Sequence, residues 1–321
     1  MSIVVTGGAG FIGSCVVGAL NEIGIEDIII VDNIAQSDKW LNIRNKRYIE
    51  YIHKSEFLQR LGALEGITSI IHLGACSSTT ERDFDYLWKN NVEYSKSLWK
   101  YAVTHRIRFI YASSASTYGD GTQGFDDEAD IRKLYPLNPY GYSKQVFDLW
   151  TCNEKLHPRQ AVGLKFFNVY GPNEYFKNSM ASMVYHGYNQ VKETGNIKLF
   201  KSYNHKFNDG EQLRDFIYVK DICKVIIYLL RHEEVNGIFN VGTGNAASFI
   251  ELAEAVFEAL DMKPNISFVD MPEQLRGRYQ YFTEAKMNKL RLVGYDEKFY
   301  SIREGVLDYV CNYLTKSDPV Y

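Results

Sequence analysis

Tyr140 and Lys144 lie four residues apart in Pro139-Tyr140-Gly141-Tyr142-Ser143-Lys144, so on a helix they share a face. A phenol is a poor base while its pKa stays near ~10. A lysine ammonium one turn away, together with the positive ring of an oxidised nicotinamide, stabilises the phenolate and lowers that pKa. The pair can then take a proton from an alcohol that is losing a hydride. A serine hydroxyl to hold that alcohol is at hand, because Arg108-Phe109-Ile110-Tyr111-Ala112 runs into Ser113 and Ser114. A Tyr-x-x-x-Lys pair in isolation arises often by chance and describes a surface pair as well as a redox site.

A second set of residues makes the dinucleotide reading stronger. The apolar run Ile3-Val4-Val5 breaks into Thr6-Gly7-Gly8-Ala9-Gly10-Phe11-Ile12-Gly13, and an apolar helical pattern follows. In such a turn one glycine permits the tight bend, one lets a pyrophosphate approach the backbone, and one lets helix and strand pack closely. The helix start then offers free N–H groups and a positive dipole end to phosphates. A further apolar run, Ile28-Ile29-Ile30-Val31, ends on Asp32, which can accept hydrogen bonds from a ribose. Asp32 favours a free 2′-hydroxyl and hence NAD. Lys39 and Lys54, farther along, could neutralise a 2′-phosphate and hence suit NADP; they also read as solvated surface. The two signals conflict.

These residues must be positioned by an alternation of strands and helices. Ser69-Ile70-Ile71-His72-Leu73-Gly74-Ala75-Cys76 reads as a strand entering a small-residue loop. A long helix, about 84–104, carries Asn90 and Asn91, and a helix after Pro139 reaches about residue 156. His72 reads as a hydrogen-bonded core residue rather than a ligand. The β-α-β order predicts an α/β fold with a doubly wound parallel sheet covered on both faces, and ligands at the carboxyl ends of its strands. The Gly loop, Asp32, the Gly74 loop and Ser113/Ser114 all fall there. With 321 residues, 45% apolar and 23% charged, the chain can bury a large core. A net charge of −3 gives no sign of a nucleic-acid or membrane partner. The 5 cysteines are scattered, which argues against a disulfide framework and against a zinc site. No basic-then-apolar leader and no membrane-length apolar run is visible, so the expected compartment is the cytoplasm, and no metal is expected.

Further segments identify a family. Ser113-Ser114-Ala115-Ser116-Thr117-Tyr118-Gly119, Phe167-Asn168-Val169-Tyr170-Gly171-Pro172, Arg214-Asp215-Phe216-Ile217-Tyr218-Val219-Lys220-Asp221 and Phe239-Asn240-Val241-Gly242-Thr243-Gly244 join the motifs above in one order along the chain. The chain resembles the extended short-chain dehydrogenase/reductases that act on nucleotide sugars. Among these it looks most like the ADP-L-glycero-D-manno-heptose 6-epimerases, through Gly74-Ala75-Cys76-Ser77-Ser78-Thr79-Thr80-Glu81, Lys177-Asn178-Ser179-Met180-Ala181-Ser182 and Leu275-Arg276-Gly277-Arg278-Tyr279-Gln280. Ser114 is followed by Ala115-Ser116-Thr117, where dehydratases usually carry an Asp-Glu pair, so water elimination is disfavoured.

The resemblance implies two domains. Residues 1–169, with about 214–242 returning, would form the dinucleotide-binding Rossmann domain; about 170–213 and 243–321 would form a smaller mixed α/β domain for the nucleotide sugar. Its implied cofactor site comprises Gly7, Gly10, Phe11, Ile12, Gly13, Asp32, Asn33, Lys39, Lys54, Leu73, Gly74, Ala75, Cys76, Ser77, Asn90, Lys144, Val169 and Lys177. The implied substrate site comprises Ser114, Asn168, Ser179, His186, Phe200, Lys201, Ser202, Tyr203, Arg214 and Tyr279. One departure is that the segment from Lys201 to Gln212 is longer than the family leads one to expect. The family's usual cofactor is NADP, sometimes NAD.

The implied reaction is epimerisation of an ADP-heptose at C6″: a tightly held NADP takes a hydride and returns it to the opposite carbonyl face. C6″ lies outside the pyranose ring, so rotation about its bond to the ring presents that face. The oxygen then points elsewhere, and a second acid–base is needed. Tyr140 is the base on one side and Lys177 the candidate on the other; Lys144 holds the nicotinamide ribose, and Ser114, with Ser116 behind it, holds the reacting oxygen. Arg214 suits the pyrophosphate, since its planar fork matches phosphate oxygens. The resemblance further implies a homo-oligomer, pentamers being known in the family, and a product destined for the inner core of lipopolysaccharide. The alternatives are a UDP-hexose 4-epimerase, another nucleotide-sugar oxidoreductase of the family, and an idle cofactor-sensing binding protein.

Overall fold

The computed structural model describes residues 2–276 and 279–321. Thirteen strands occur in it: β1 Ser2–Thr6, β2 Ile28–Asp32, β3 Glu50–His53, β4 Ile67–His72, β5 Arg108–Ser114, β6 Gln160–Phe166, β7 Asn168–Tyr170, β8 Ile197–Phe200, β9 Leu213–Arg214, β10 Phe216–Tyr218, β11 Gly237–Val241, β12 Ala247–Ser248 and β13 Ile266–Val269. The helices are α1 Phe11–Glu22, α2 Lys54–Arg60, α3 Phe84–Leu87, α4 Tyr94–Thr104, α5 Pro139–Asn153, α6 Met183–Thr194, α7 Val219–Arg231, α8 Phe249–Ala259, α9 Glu273–Arg276, α10 Asn288–Leu292 and α11 Ile302–Tyr309. A wider helical turn, Trp88–Glu93, joins α3 to α4, so the long helix read from the sequence is one interrupted rod.

Seven strands form one sheet in the order β11-β6-β5-β4-β1-β2-β3, and every pairing is parallel. This is the doubly wound α/β sheet that the alternation of elements predicts. Parallel strands buried on both faces need apolar residues at successive positions, and β1 and β2 supply them. Ile3 and Val5 pack on the face covered by α1 and α7, through Val16, Leu20, Ile222, Val225, Ile226 and Leu229. Val4, Ile29 and Val31 pack on the other, against Leu98, Trp99 and Ala102 of α4 and Phe147 of α5. The chain order reverses between β1 and β4, and this opens a crevice at their carboxyl ends.

Outside this sheet β7 pairs with β10, β9 with β12 and β8 with β13. The segment expected to return to the larger domain, about 214–242, opens with β9 and β10, yet neither enters the large sheet. Only α7 and β11 return to it. The segment between β8 and β9 is irregular: Ser202 N donates to Asp209 Oδ1 (2.7 Å), and Phe207 stacks on Tyr281. Among the described residues no helix is long and apolar enough to cross a membrane.

His72 ties β1, β4 and the α3–α4 rod together. Gly74 N donates to Thr6 Oγ1 (3.1 Å), and Thr6 Oγ1 lies 2.6 Å from His72 Nδ1. His72 Nε2 lies 2.8 Å from Ser95 Oγ, whose own proton goes to Asn91 O (2.7 Å). Ser95 must therefore accept from the ring, which places the imidazole proton on Nε2 and leaves Nδ1 to accept from Thr6. Burial first, then Lys144, pushes the His72 pKa down from 6.5 to about 3. The unfolded chain binds a proton there near pH ~6.5 and the folded chain does not, so this contribution to stability is whole above that pH and is lost on descent toward pH 3. The expected slope is about 1.4 kcal/mol per pH unit. Denaturant unfolding across that window should show the slope in the native protein and a flatter dependence in His72→Gln.

Candidate active site

The crevice begins where β1 runs into the glycine turn. Gly7 has φ +69°, a conformation that glycine adopts freely. A Cβ on Gly13 would stand 2.1 Å from Gly7 O, and one on Gly7 would stand 2.8 Å from Gly74 N. The turn, the start of α1 and the Gly74 loop thus meet backbone to backbone. Gly10 precedes α1 and no side chain caps the helix, so its first N–H groups stay available at Phe11, Ile12 and Gly13. All three residues line a cavity of about 490 Å³. An uncapped helix start over a side-chain-free turn fits a pyrophosphate.

Asp32 closes this end. Its Oδ2 accepts from Ala9 N (2.9 Å), and its Oδ1 accepts from Asn33 N and Lys39 Nζ (both 2.7 Å). Lys39 Nζ also donates to Asn33 O (2.6 Å). The two residues that pointed to different dinucleotides are therefore one ion pair, and both line the cavity. Lys54 stands outside the lining and donates to Asn90 Oδ1 (2.9 Å); Asn33 and Cys76 are also outside it. Asn91, read from the sequence only as a helix residue, does more than Asn90. It is buried, accepts from Cys76 N (2.8 Å), and donates to Cys76 O (2.9 Å) and Ser143 Oγ (3.0 Å). It thereby pins the small-residue loop to α5. Leu73, Gly74, Ala75 and Ser77 of that loop line the cavity.

Tyr140, Lys144, Ser114 and Ser116 meet deeper in the same cavity. Asn138 caps α5 by accepting from Gly141 N (2.8 Å), and Pro139 opens its first turn. A Cβ on Gly141 would lie 2.7 Å from Ser116 O, so the helix start is pressed onto the turn that follows β5. Lys144 Nζ donates to Ala112 O (2.8 Å). Burial brings the Lys144 pKa down from 10.5 to about 8, with Asp148 opposing. The Tyr140 phenol departs from expectation. Burial raises its pKa, Ser114 draws it partly back, and Cys76 and Asp148 push it up again. The protein alone does not lower it, because burial of the phenol outweighs the Ser114 hydrogen bond.

The two serines at the end of β5 divide their tasks, as neighbours on a strand must. Ser114 Oγ accepts from Ser116 N (3.1 Å), on the Tyr140 side. Ser113 Oγ turns inward and donates to Asp148 Oδ2 (2.7 Å). Asp148 is fully buried, pairs with Lys165 Nζ (2.7 Å) and accepts from Tyr111 (3.1 Å). Neither Asp148 nor Lys165 belongs to a short motif, which is why the sequence did not single them out.

Lys177 enters from the short helical segment Tyr175–Met180 beyond β7 and also lines the cavity, its ammonium 5.2 Å from the centre of the Phe11 ring. Burial lowers its pKa and Glu174 raises it. Val169 and Asn168 complete this side, with Phe176, Met180, Phe216 and Phe249, none of which the motifs had marked as lining residues.

The other residues assigned to a substrate lie outside the lining. Ser179 is exposed; His186 and Phe200 are half-buried and do not line the cavity. Arg214 is buried beside it, its guanidinium 5.0 Å from the Tyr279 ring and 5.8 Å from that of Phe249. Burial pushes the Arg214 pKa down. Lys201 and Tyr203 belong to a surface cluster in which both engage Asp270, and Arg276 donates to the Tyr203 hydroxyl (3.0 Å). Ser202 and Tyr203 line a separate open depression of about 590 Å³. The longer 201–212 segment thus turns these residues into a cluster of their own. Gly277 and Arg278 lie outside the described residues.

Comparison with known proteins places this arrangement. ADP-L-glycero-D-manno-heptose-6-epimerase of Fusobacterium nucleatum subsp. nucleatum is 52% identical, the match covering 98% of this chain and 99% of that protein. The enzyme of the same name from Nitratidesulfovibrio vulgaris is 51% identical over 98% of this chain and 99% of its own length. The crystal structure of Helicobacter pylori ADP-L-glycero-D-manno-heptose-6-epimerase superposes with a TM-score of 0.79 at 27% identity, covering 97% of this chain and 95% of that one. The sequence model of one family spans residues 3–242, which hold the glycine turn, Asp32, Ser114, Tyr140, Lys144 and Lys177. The chain belongs to the NAD dependent epimerase/dehydratase family.

Proposed function

We propose that this protein is an isomerase that interconverts ADP-D-glycero- and ADP-L-glycero-D-manno-heptose at C6″, for the heptose of the lipopolysaccharide inner core. The observation that carries the reading is that Tyr140 and Lys177, two proton-transfer groups from separate parts of the chain, face one cavity beside a dinucleotide-type glycine turn. The relatives of that name, matched over 98% of the chain, supply the substrate.

The larger part, residues 1–169 with about 214–242, holds the dinucleotide; about 170–213 and 243–321 hold the nucleotide sugar. A nicotinamide held there would supply reversible hydride transfer at the C6″ carbinol. Everything else falls to the side chains of this chain. Tyr140 removes the hydroxyl proton in one orientation of the C6″ arm, with Ser114 holding the oxygen. Rotation of the arm carries that oxygen away from Tyr140, and Lys177 then exchanges the proton. Burial has already moved Lys177 away from an ordinary lysine, which favours such exchange. Lys144 holds the nicotinamide ribose. Arg214, a buried cation faced by aromatic rings, takes the pyrophosphate. The protein works as a cytoplasmic homo-oligomer.

NADP is the dinucleotide proposed. Lys39 already neutralises Asp32, so a 2′-phosphate would not meet a bare carboxylate. In Lys39→Ala that carboxylate loses its partner, and NADP affinity should fall by about tenfold or more while NAD affinity changes less. Titration of the stripped protein with each dinucleotide measures this; equal losses would favour NAD.

The function is tested by incubating the protein, with no added cofactor, with ADP-D-glycero-D-manno-heptose in D₂O and following proton NMR. The L-glycero isomer should appear with protium still at C6″. Deuterium at C6″ would replace hydride return by deprotonation, and no conversion by protein carrying its dinucleotide would remove the substrate assignment. Tyr140→Phe and Lys177→Met should each slow epimerisation by about 10²–10⁴-fold. Full epimerisation by either variant would rule out the two-base scheme.

A further inference from the structure

Glu174 carries a carboxylate with no exposed surface, three residues before Lys177. Burying a carboxylate is costly unless its oxygens are fully engaged. Here Oε2 accepts from Ser182 N (2.6 Å), and Oε1 accepts from Ser182 Oγ (2.6 Å) and Gly171 N (3.3 Å). Gly171 and Ser182 are the two ends of the segment that carries Lys177. One side chain therefore closes residues 171–182 into a loop at its base. Ser182 is also the cap of α6, accepting from Tyr185 N (3.3 Å), so the closure is anchored to a helix. Within the loop Lys177 N donates to Glu174 O (3.0 Å). The next residue, Asn178, has φ +49° and ψ −127°, a conformation that persists in a non-glycine residue only when its surroundings hold it.

We propose that Glu174 is the positioning residue for Lys177: its buried carboxylate fastens the loop that carries the lysine and supplies the negative charge against which the ammonium is held over the cavity. This rests on the reading of Lys177 as an acid–base. Removing the charge leaves burial unopposed, and the lysine should then lose its proton at lower pH. The other groups around Lys177 do not supply that charge in the same way. Asp32 and Lys39 face the cavity as a closed ion pair. Tyr140 and Lys144 face it from α5, the phenol raised and the ammonium lowered by burial. Tyr175, within the loop, packs on Tyr185 and Tyr309, with Tyr175 and Tyr309 raised by burial, and the Cys15 thiol on α1, which donates to Pro172 O (3.4 Å), is pushed up to about 12.

The test uses the full-length protein with its resident dinucleotide and follows kcat and KM for ADP-heptose epimerisation against pH. Lys177→Met identifies the limb of the profile that belongs to Lys177. Glu174→Gln should lower kcat by about tenfold or more, change KM far less, and move that limb down by about one pH unit. Ser182→Ala, which loosens the clasp and leaves the charge, should lower kcat without moving the limb. Unchanged kcat and limb in Glu174→Gln, with Lys177→Met impaired, would overturn the role of Glu174 alone. Parental epimerisation by Lys177→Met would overturn the acid–base reading beneath it. If Glu174→Gln does not fold, Ser182→Ala decides: a lowered kcat supports the proposal, and parental kcat overturns it.

Discussion

The contact between Gly13 and Gly7 sets the geometry of everything above the large sheet. A Cβ at either residue would collide with backbone atoms, so α1 can cross the end of β1 only because no side chain intervenes. That closeness leaves uncapped N–H groups of α1 facing the crevice. It also brings Gly74 against Gly7, so the loops after β1 and β4 share one floor. The His72 hydrogen-bond chain fixes that floor from below, from Gly74 N through Thr6 and Ser95 to Asn91. Asn91 then clamps the Cys76 loop and the start of α5. The position of Tyr140 is thus tied by hydrogen bonds and packing to a glycine contact at the other end of the cavity.

Desolvation sets the chemistry of the groups held there. Tyr140, Lys144 and Lys177 all owe the largest part of their displacement to burial, and in each case burial favours the uncharged form. For the two lysines this eases loss of the proton. For the tyrosine it works against phenolate formation, so the protein by itself leaves Tyr140 a weak base. The positive ring of an oxidised nicotinamide bound beside it would supply stabilisation of the phenolate that burial withholds. Asp148 of α5, held by Lys165 and Ser113, opposes the effect of burial on Lys144.

One of the smaller sheets, β7 with β10, lines the same cavity. β7 pairs with β10 in parallel, and the chain leaves β7 into the loop that carries Lys177. Phe216 of β10 and Phe249 of α8 close the wall in front of Arg214. Arg214 is a buried guanidinium between the Tyr279 and Phe249 rings, whereas Lys201 and Tyr203 engage Asp270 at the surface.

Local pattern determined the parallel sheet, the glycine turn, Asp32 and the Tyr140/Lys144 pair, because each rests on short-range spacing: apolar runs for buried strands, glycines where backbones touch, four residues for one helical turn. His72 as a satisfied core residue was legible for the same reason. Tertiary structure decided what spacing cannot express. It joined Asp32 and Lys39 into one ion pair, chose Asn91 over Asn90 as the clamp, turned Ser113 away from Ser114, and kept β9 and β10 out of the large sheet. It brought Asp148 to Lys165 and Glu174 to Ser182, and set Lys201 to Tyr203 apart from the cavity. The division has one physical cause. A motif fixes which groups are available along the chain, while burial, charge and hydrogen-bond partners depend on segments far away in sequence that only the folded chain brings together.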